Sequence, residues 1–217
     1  MQLPARAIAL ALVATVGVSC AQSAPKRSPR PRPSGFLGDY QRFRVDPSRN
    51  GALVYRQAGT NLSAYDRILI EPIVFWPENA AGQLDAADRE HLTRYFQNAM
   101  EKAVSGVYPL ARQPGPGVLR VRTALTGAAP TRRDQVQVSA QSADRYDSGA
   151  SQIRRSQGWA TVEAELVDSE SGERKLGVVA RRDVSAPISS LSKWGDVEKL
   201  LDQWARNLRL ELDSAKP

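Results

Sequence analysis

The sequence predicts an α/β fold of the α+β type: a single mixed β-sheet with two helices packed on one face, in the rough order β-α-β-β-β-α. Three observations lead there. A near-continuous run of apolar and β-branched residues spans 65–76, two later segments alternate apolar and polar residues, and two segments carry apolar side chains at four-three-four spacing. A strand buried on both faces gives the first pattern, half-buried strands the second, and amphipathic helices the third.

The elements follow in chain order. Tyr65 to Trp76 (YDRILIEPIVFW) is predicted as a central strand, with Pro72 marking a bulge or strand end because proline has no N–H to donate. Glu71, the only acid in the apolar part of that run, is expected to be partly exposed at the strand end. Asp85 to Val104 is predicted to be helical. Asp85 is the N-cap, Asp88 and Glu90 sit where the helix dipole favours acids, and Leu92, Phe96, Ala99 and Ala103 make the apolar stripe, with Gly106 as the stop. In Val118 to Leu125, Leu119, Val121 and Leu125 face one way and Arg120 and Arg122 the other. In Trp159 to Val167, Ala160, Val162, Ala164 and Leu166 oppose Thr161, Glu163 and Glu165. Both read as strands with one polar face, and their pairing would set the two arginines and two glutamates into a cross-strand charge ladder. A turn over 168–173 leads to a hairpin partner at Lys175–Arg182. Trp194 to Leu212 is the second helix, with Val197, Leu201, Trp204 and Leu208 on its stripe.

The chain has 217 residues and a net charge of +7, and the excess is unevenly placed. From residue 61 onward there are 21 basic and 21 acidic residues, so the surplus lies entirely before residue 61. A neutral domain behind a basic arm argues against nucleic acid as a partner. Three segments are expected: an export signal over 1–20, a Pro/Arg-rich tether and extended arm over 21–60, and a globular domain over 61–217 with a polar loop at 128–158.

Residues 1–20 (MQLPARAIALALVATVGVSC) have the basic start, apolar run and small-residue end of a signal peptide. Cys20, the only cysteine, lies at the expected cleavage boundary, where no internal disulfide is available to it. Gly17-Val18-Ser19-Cys20 resembles the lipobox of bacterial lipoproteins, with Gly17 in place of the usual leucine. Cys20 is therefore the expected lipidation site, and the membrane the expected partner through that anchor. The resemblance, with Ala21 after the cysteine, implies the outer membrane and its periplasmic face. Residues 21–35 (AQSAPKRSPRPRPSG) alternate proline with arginine and read as a polyproline II spacer, about 45 Å long at roughly 3.1 Å per residue.

Candidate chemistry is sparse. No phosphate loop, zinc ligand set or nucleophile-base pair is legible, and no catalytic residue, cofactor or metal is expected. His91, the sole histidine, falls beside the first helical stripe and reads as a surface or boundary residue. The candidate interaction residues are Arg120, Arg122, Glu163 and Glu165 on the polar sheet face, and Arg132 and Arg133 at the start of the polar loop. The leading expectation is a non-catalytic binding or accessory module with an envelope protein or polymer as partner. The alternative is an envelope hydrolase, for which Glu163 and Glu165, roughly 7 Å apart by strand rise, would have to line a concave pocket.

Six stretches together resemble one family: SGFLGDY at 34–40, Tyr65-Asp66 leading into ILIEPIVFW, YPL at 108–110, PGPGVLRVRTALT at 114–126, EAELVDSESGE at 163–173 and WGDVEKLLDQWA at 194–205. The sequence resembles the bacterial lipoprotein family known as domain of unknown function 3313, from about residue 34 onward apart from 128–158. The resemblance implies a lipoprotein of the Gram-negative envelope and assigns no catalytic residue.

Overall fold

The computed structural model describes residues 29–77, 84–133, 155–156, 158–184 and 192–214. Cys20, and Val136 and Val138 of the polar loop, lie outside the described residues.

One open mixed sheet of seven strands carries two helices. The strands are β1 (Arg44–Asp46), β2 (Ala52–Arg56), β3 (Arg67–Ile70), β4 (Val74–Phe75), β5 (Val118–Ala129), β8 (Trp159–Asp168) and β9 (Arg174–Asp183), in the order β1-β2-β9-β8-β5-β3, with β4 also on β5. A two-stranded sheet pairs β6 (Arg132–Arg133) with β7 (Arg155–Ser156). The helices are α1 (Ala86–Ser105) and α2 (Gly195–Asp213).

Three expectations change. Residues 65–76 do not form a central strand: they form β3 and β4 at the sheet edge, both parallel to β5. The pairing lapses after Glu71 N–H donates to the Val121 carbonyl, around Pro72, and resumes at Val74 opposite Ala124. The run is apolar on both faces because α1 covers one side and the N-terminal segment reaches the other. Second, part of the segment assigned to the extended arm is folded. Residues 44–46 and 52–56 are strands continuing the sheet beyond β9, since Leu53 and Tyr55 have partners in Val179 and Gly177. Third, β5 runs on to Ala129, so the first residues of the expected polar loop are strand.

The helices lie side by side on one face, and their contacts advance in step: Trp194 Nε1 donates to Asp88, His91 meets Glu198, Tyr95 donates to Asp202, and Arg209 donates to the Ala103 carbonyl. The helices are therefore parallel. This places α1's surface in two stripes. Leu92, Phe96, Met100 and Val104 are buried toward the sheet, while Tyr95, Ala99 and Ala103 are only partly buried, on the side toward α2. The predicted stripe combined members of both. Asp85 caps α1 by accepting from the Asp88 N–H, and His91 is exposed at the helix surface. Asp88, on α1, accepts from Lys193 and Trp194 at the start of α2; burial raises its pKa, but those bonds outweigh it and the net shift is downward.

The β8–β9 turn is organised by Asp168. Its carboxylate accepts from the Ser171 N–H and hydroxyl, from the Glu170 N–H, and from the Tyr65 hydroxyl at 2.9 Å. The Ser171 bonds above all hold its pKa down at about 2. A carboxylate with a lowered folded-state pKa stabilises the fold above its unfolded value, and the contribution fades as pH falls through the folded one. Asp168→Ala is expected to cost about 1.5–3 kcal/mol at neutral pH. In urea melts the gap between wild type and variant should close between about pH 4 and pH 2. A gap that did not change across that range would show the carboxylate charge to be irrelevant to the turn.

Candidate functional site

Strand alternation splits the long strands of the sheet between two environments. On the face away from the helices stand Arg120 and Arg122 of β5, Glu163 and Glu165 of β8, and Tyr55 of β2. The expectation of a solvated polar face is corrected by burial: Glu163 is 0% and Glu165 2% exposed. The cover is the N-terminal segment 34–43, which crosses the sheet as a strap carrying the SGFLGDY stretch. Leu37, Phe43, Tyr55 and Val179 form a second small core beneath it, flanked by Phe36 and Tyr40. Gly177 makes room for it, because a Cβ there would lie 2.5 Å from Phe43 Cζ.

Each carboxylate is closed off by specific partners. Glu163 Oε1 accepts from the Ser34 N–H and Oε2 from the Tyr40 hydroxyl, both at 2.5 Å. The Tyr40 oxygen in turn accepts from the Gly35 and Leu37 N–H groups. Burial, then the bond to Glu163, pushes the Tyr40 phenol up to about 12, so it remains a donor throughout the ordinary pH range. Glu165 sits between Arg122 and Arg174, with Arg174 Nε at 2.5 Å. Arg174 also donates to the Asp39 and Leu37 carbonyls, tying strap to sheet. Glu71 accepts the far end of the chain of charges, 3.3 Å from Arg120 and 3.4 Å from Arg122.

The predicted ladder is thus half realised. Arg122 and Glu165 are direct cross-strand partners, but Arg120 stands opposite Val167 and Glu163 opposite Ala124. Arg120 turns to Glu71 instead, and Glu163 to the strap. Both glutamates are buried under the strap with every carboxylate oxygen engaged, so they do not together line the concave pocket that the hydrolase reading requires. Arg132 and Arg133 lie apart from this cluster, in the β6–β7 pair.

The accessible concavity is on the opposite face. A cleft of about 470 Å³ opens between the sheet and the C-terminal half of α2, a size typical of small-molecule sites. Its lining includes Val162 and Ala164 of β8, Val178 and Ala180 of β9, Met100 of α1, and Trp204 and Leu208 of α2. Trp204 and Leu208 are only partly buried, which explains why the predicted α2 stripe is well covered only toward its start, at Val197 and Leu201. Glu211 stands at the mouth, ion-paired with Arg49 and Arg56 and so joining α2 to β2 and the turn before it. Burial raises its pKa, but the two arginines outweigh this and hold it low. Arg182, Thr123, Gln203 and Asn207 are among its other polar lining residues. Sequence reading assigns no role to Arg182, Thr123 or Glu211, and places Val162, Ala164, Trp204 and Leu208 in apolar stripes alone. The available signal was alternation in β9, where Leu176, Val178 and Ala180 share a face with Arg182 and so end an apolar row on a cation.

Among the described residues, no group of three or more histidine, cysteine or acidic side chains is placed to hold a metal, and no helix is long and apolar enough to cross a membrane.

Solved structures resemble the chain at low identity. The PelC dodecamer from Paraburkholderia phytofirmans aligns at 11% identity and a TM-score of 0.40, over 73% of this chain and 97% of that one. A minor lipoprotein from Acinetobacter baumannii aligns at 8% identity and 0.34, over 69% and 94%. Lipoprotein GNA1162 from Neisseria meningitidis aligns at 12% identity and 0.30, over 66% and 99%. At these scores the likeness bears on no function. No curated protein matches the chain. The strap, the sheet and most of α2 fall inside residues 32–208, which match the model of a protein family of unknown function, DUF3313, and the chain belongs to that family.

Proposed function

We propose that this chain is a lipid-anchored module of the bacterial envelope, held at the periplasmic face of the outer membrane, that works by binding and not by catalysis. One observation carries the binding reading: the face with the paired carboxylates is sealed by the strap, while the helix-covered face keeps an open, largely apolar cleft. The anchor reading rests on Cys20 in its GVSC setting and on the proline–arginine spacer behind it. A lipid on Cys20 adds about 0.8 kcal/mol per buried methylene, so multiple acyl chains hold firmly. The spacer joins the strap, which lies on the sheet face opposite the cleft. An anchored domain can then present the cleft to an envelope protein or polymer.

Cys20→Ser with cell fractionation tests the anchor. Wild type should sediment with membranes and the variant should appear in the soluble periplasmic fraction; a variant that stays with the membranes as wild type does refutes lipidation. For the binding surface, a photo-crosslinking residue at Gln203 on the cleft lining is compared with one at the exposed Arg67 on β3. A specific adduct at Gln203 alone is expected. The same adducts at both positions would remove the cleft as the working surface.

A further inference from the structure

The cleft has a polar arrangement that its own residues leave incomplete. Thr123 lies in its lining, 2% exposed, and its hydroxyl has no hydrogen-bond partner. A buried hydroxyl without a partner is costly. Arg182 is the cation of the lining without an anionic partner among the described residues. Arg49 and Arg56 are both engaged by Glu211, but among the described residues Arg182 meets the Arg49 carbonyl at 3.2 Å and has no carboxylate partner. Burial alone lowers its pKa, as fits a guanidinium whose anion is missing. On the sheet side between these groups the lining is apolar, with Val178 and Ala180. Ala164 and Ala180 are small where larger side chains would close the space, and Trp204 and Leu208 form the helix wall.

We propose that the cleft binds a single-chain anionic lipid, its acidic head on Arg182 and its apolar chain against Val178, Ala180, Trp204 and Leu208. The shape is that of a small-ligand site, mostly apolar with a few placed polar groups. Charge complementarity selects the anion: Arg182 forms charge-assisted bonds with a phosphate or carboxylate and repels a cationic head. This rests on the binding reading above and names the ligand class for the same surface.

Calorimetry on the full chain carrying Cys20→Ser, without detergent, tests it. The probes are lauroyl glycerol phosphate below its micelle concentration, the choline-headed analogue, and inorganic phosphate. The anionic lipid should bind one to one, the choline-headed lipid more weakly, and inorganic phosphate not measurably. Arg182→Gln should weaken the anionic lipid by about tenfold or more, and should narrow the difference between the two lipids. Thr123→Val, which preserves shape and lies away from the head, should change the two lipids alike. Ala180→Leu should abolish lipid binding; its thermal unfolding profile, if unchanged, confirms that the fold survives. Arg182→Gln alters a side chain at the cleft mouth and provides a test independent of core packing. Equal binding of both lipids to wild type, no loss in Arg182→Gln, or binding of inorganic phosphate as tight as the lipid would overturn the proposal. If no lipid binds while Gln203 still crosslinks specifically to a protein, the lipid proposal fails and the binding reading stands.

Discussion

Glu165→Ala is expected to lower the unfolding free energy by about 3 kcal/mol. The carboxylate is the buried anion between Arg122 and Arg174, and its loss leaves two guanidinium groups facing each other across β8. Removing one member of a buried charge cluster costs more than the cluster contributed, because the remaining charges lose their compensation. The effect falls short of the upper end of that range because Arg122 keeps Glu71 and Arg174 keeps two strap carbonyls. Glu165→Gln, which retains the shape and one acceptor, should lose less. Urea unfolding monitored by tryptophan fluorescence reads both values. The difference should change little between low and high salt, since a buried pair is weakly screened. A loss below about 1 kcal/mol would place this cluster with ordinary surface ion pairs and leave the strap held by its aromatic residues alone.

Those residues give the second large effect. Phe43→Ala should cost about 3–4 kcal/mol, because it empties the centre of the strap core and removes the ring under Arg174. Gly177→Ala should cost about 1–3 kcal/mol by forcing that same ring aside. In the Phe43→Ala background the second substitution should cost almost nothing, since the space it needs is already vacant. The two changes are therefore strongly non-additive, and the double-mutant cycle measures the contact. Additive losses would mean that Phe43 does not rest on Gly177. Limited proteolysis gives a second readout: cleavage should appear in 34–43 in Phe43→Ala before the helices become sensitive.

Both predictions concern a segment that composition and charge placed in the tether. The reason is physical. Residues 36–56 carry arginines among apolar residues spaced like neither a full helix nor a long strand, so local pattern does not reveal them as part of a sheet. Their apolar residues acquire meaning only against a surface that β5, β8 and β9 assemble from the other end of the chain. The same distance hid the fate of Glu163 and Glu165. Alternation in β8 correctly set them on the face opposite Val162 and Ala164, but alternation cannot say whether that face meets water or a strap.

Periodicity and capping sufficed where the determining forces are local. The two helices, the N-cap at Asp85, the stop at Gly106, the break at Pro72, the turn at 168–173 and the hairpin into β9 all follow from neighbours a few residues apart. The family was legible too, in short stretches that the fold distributes over the strap, the sheet and α2. Only tertiary structure decided which strand lies at the edge, which face is sealed, and where an open cleft remains. Each depends on pairing across tens of residues, on the parallel setting of two helices, and on Glu211 tying α2 to β2 and the turn before it. Arg182 and Thr123 lie far apart in sequence, and it is the sheet that brings them to one cavity.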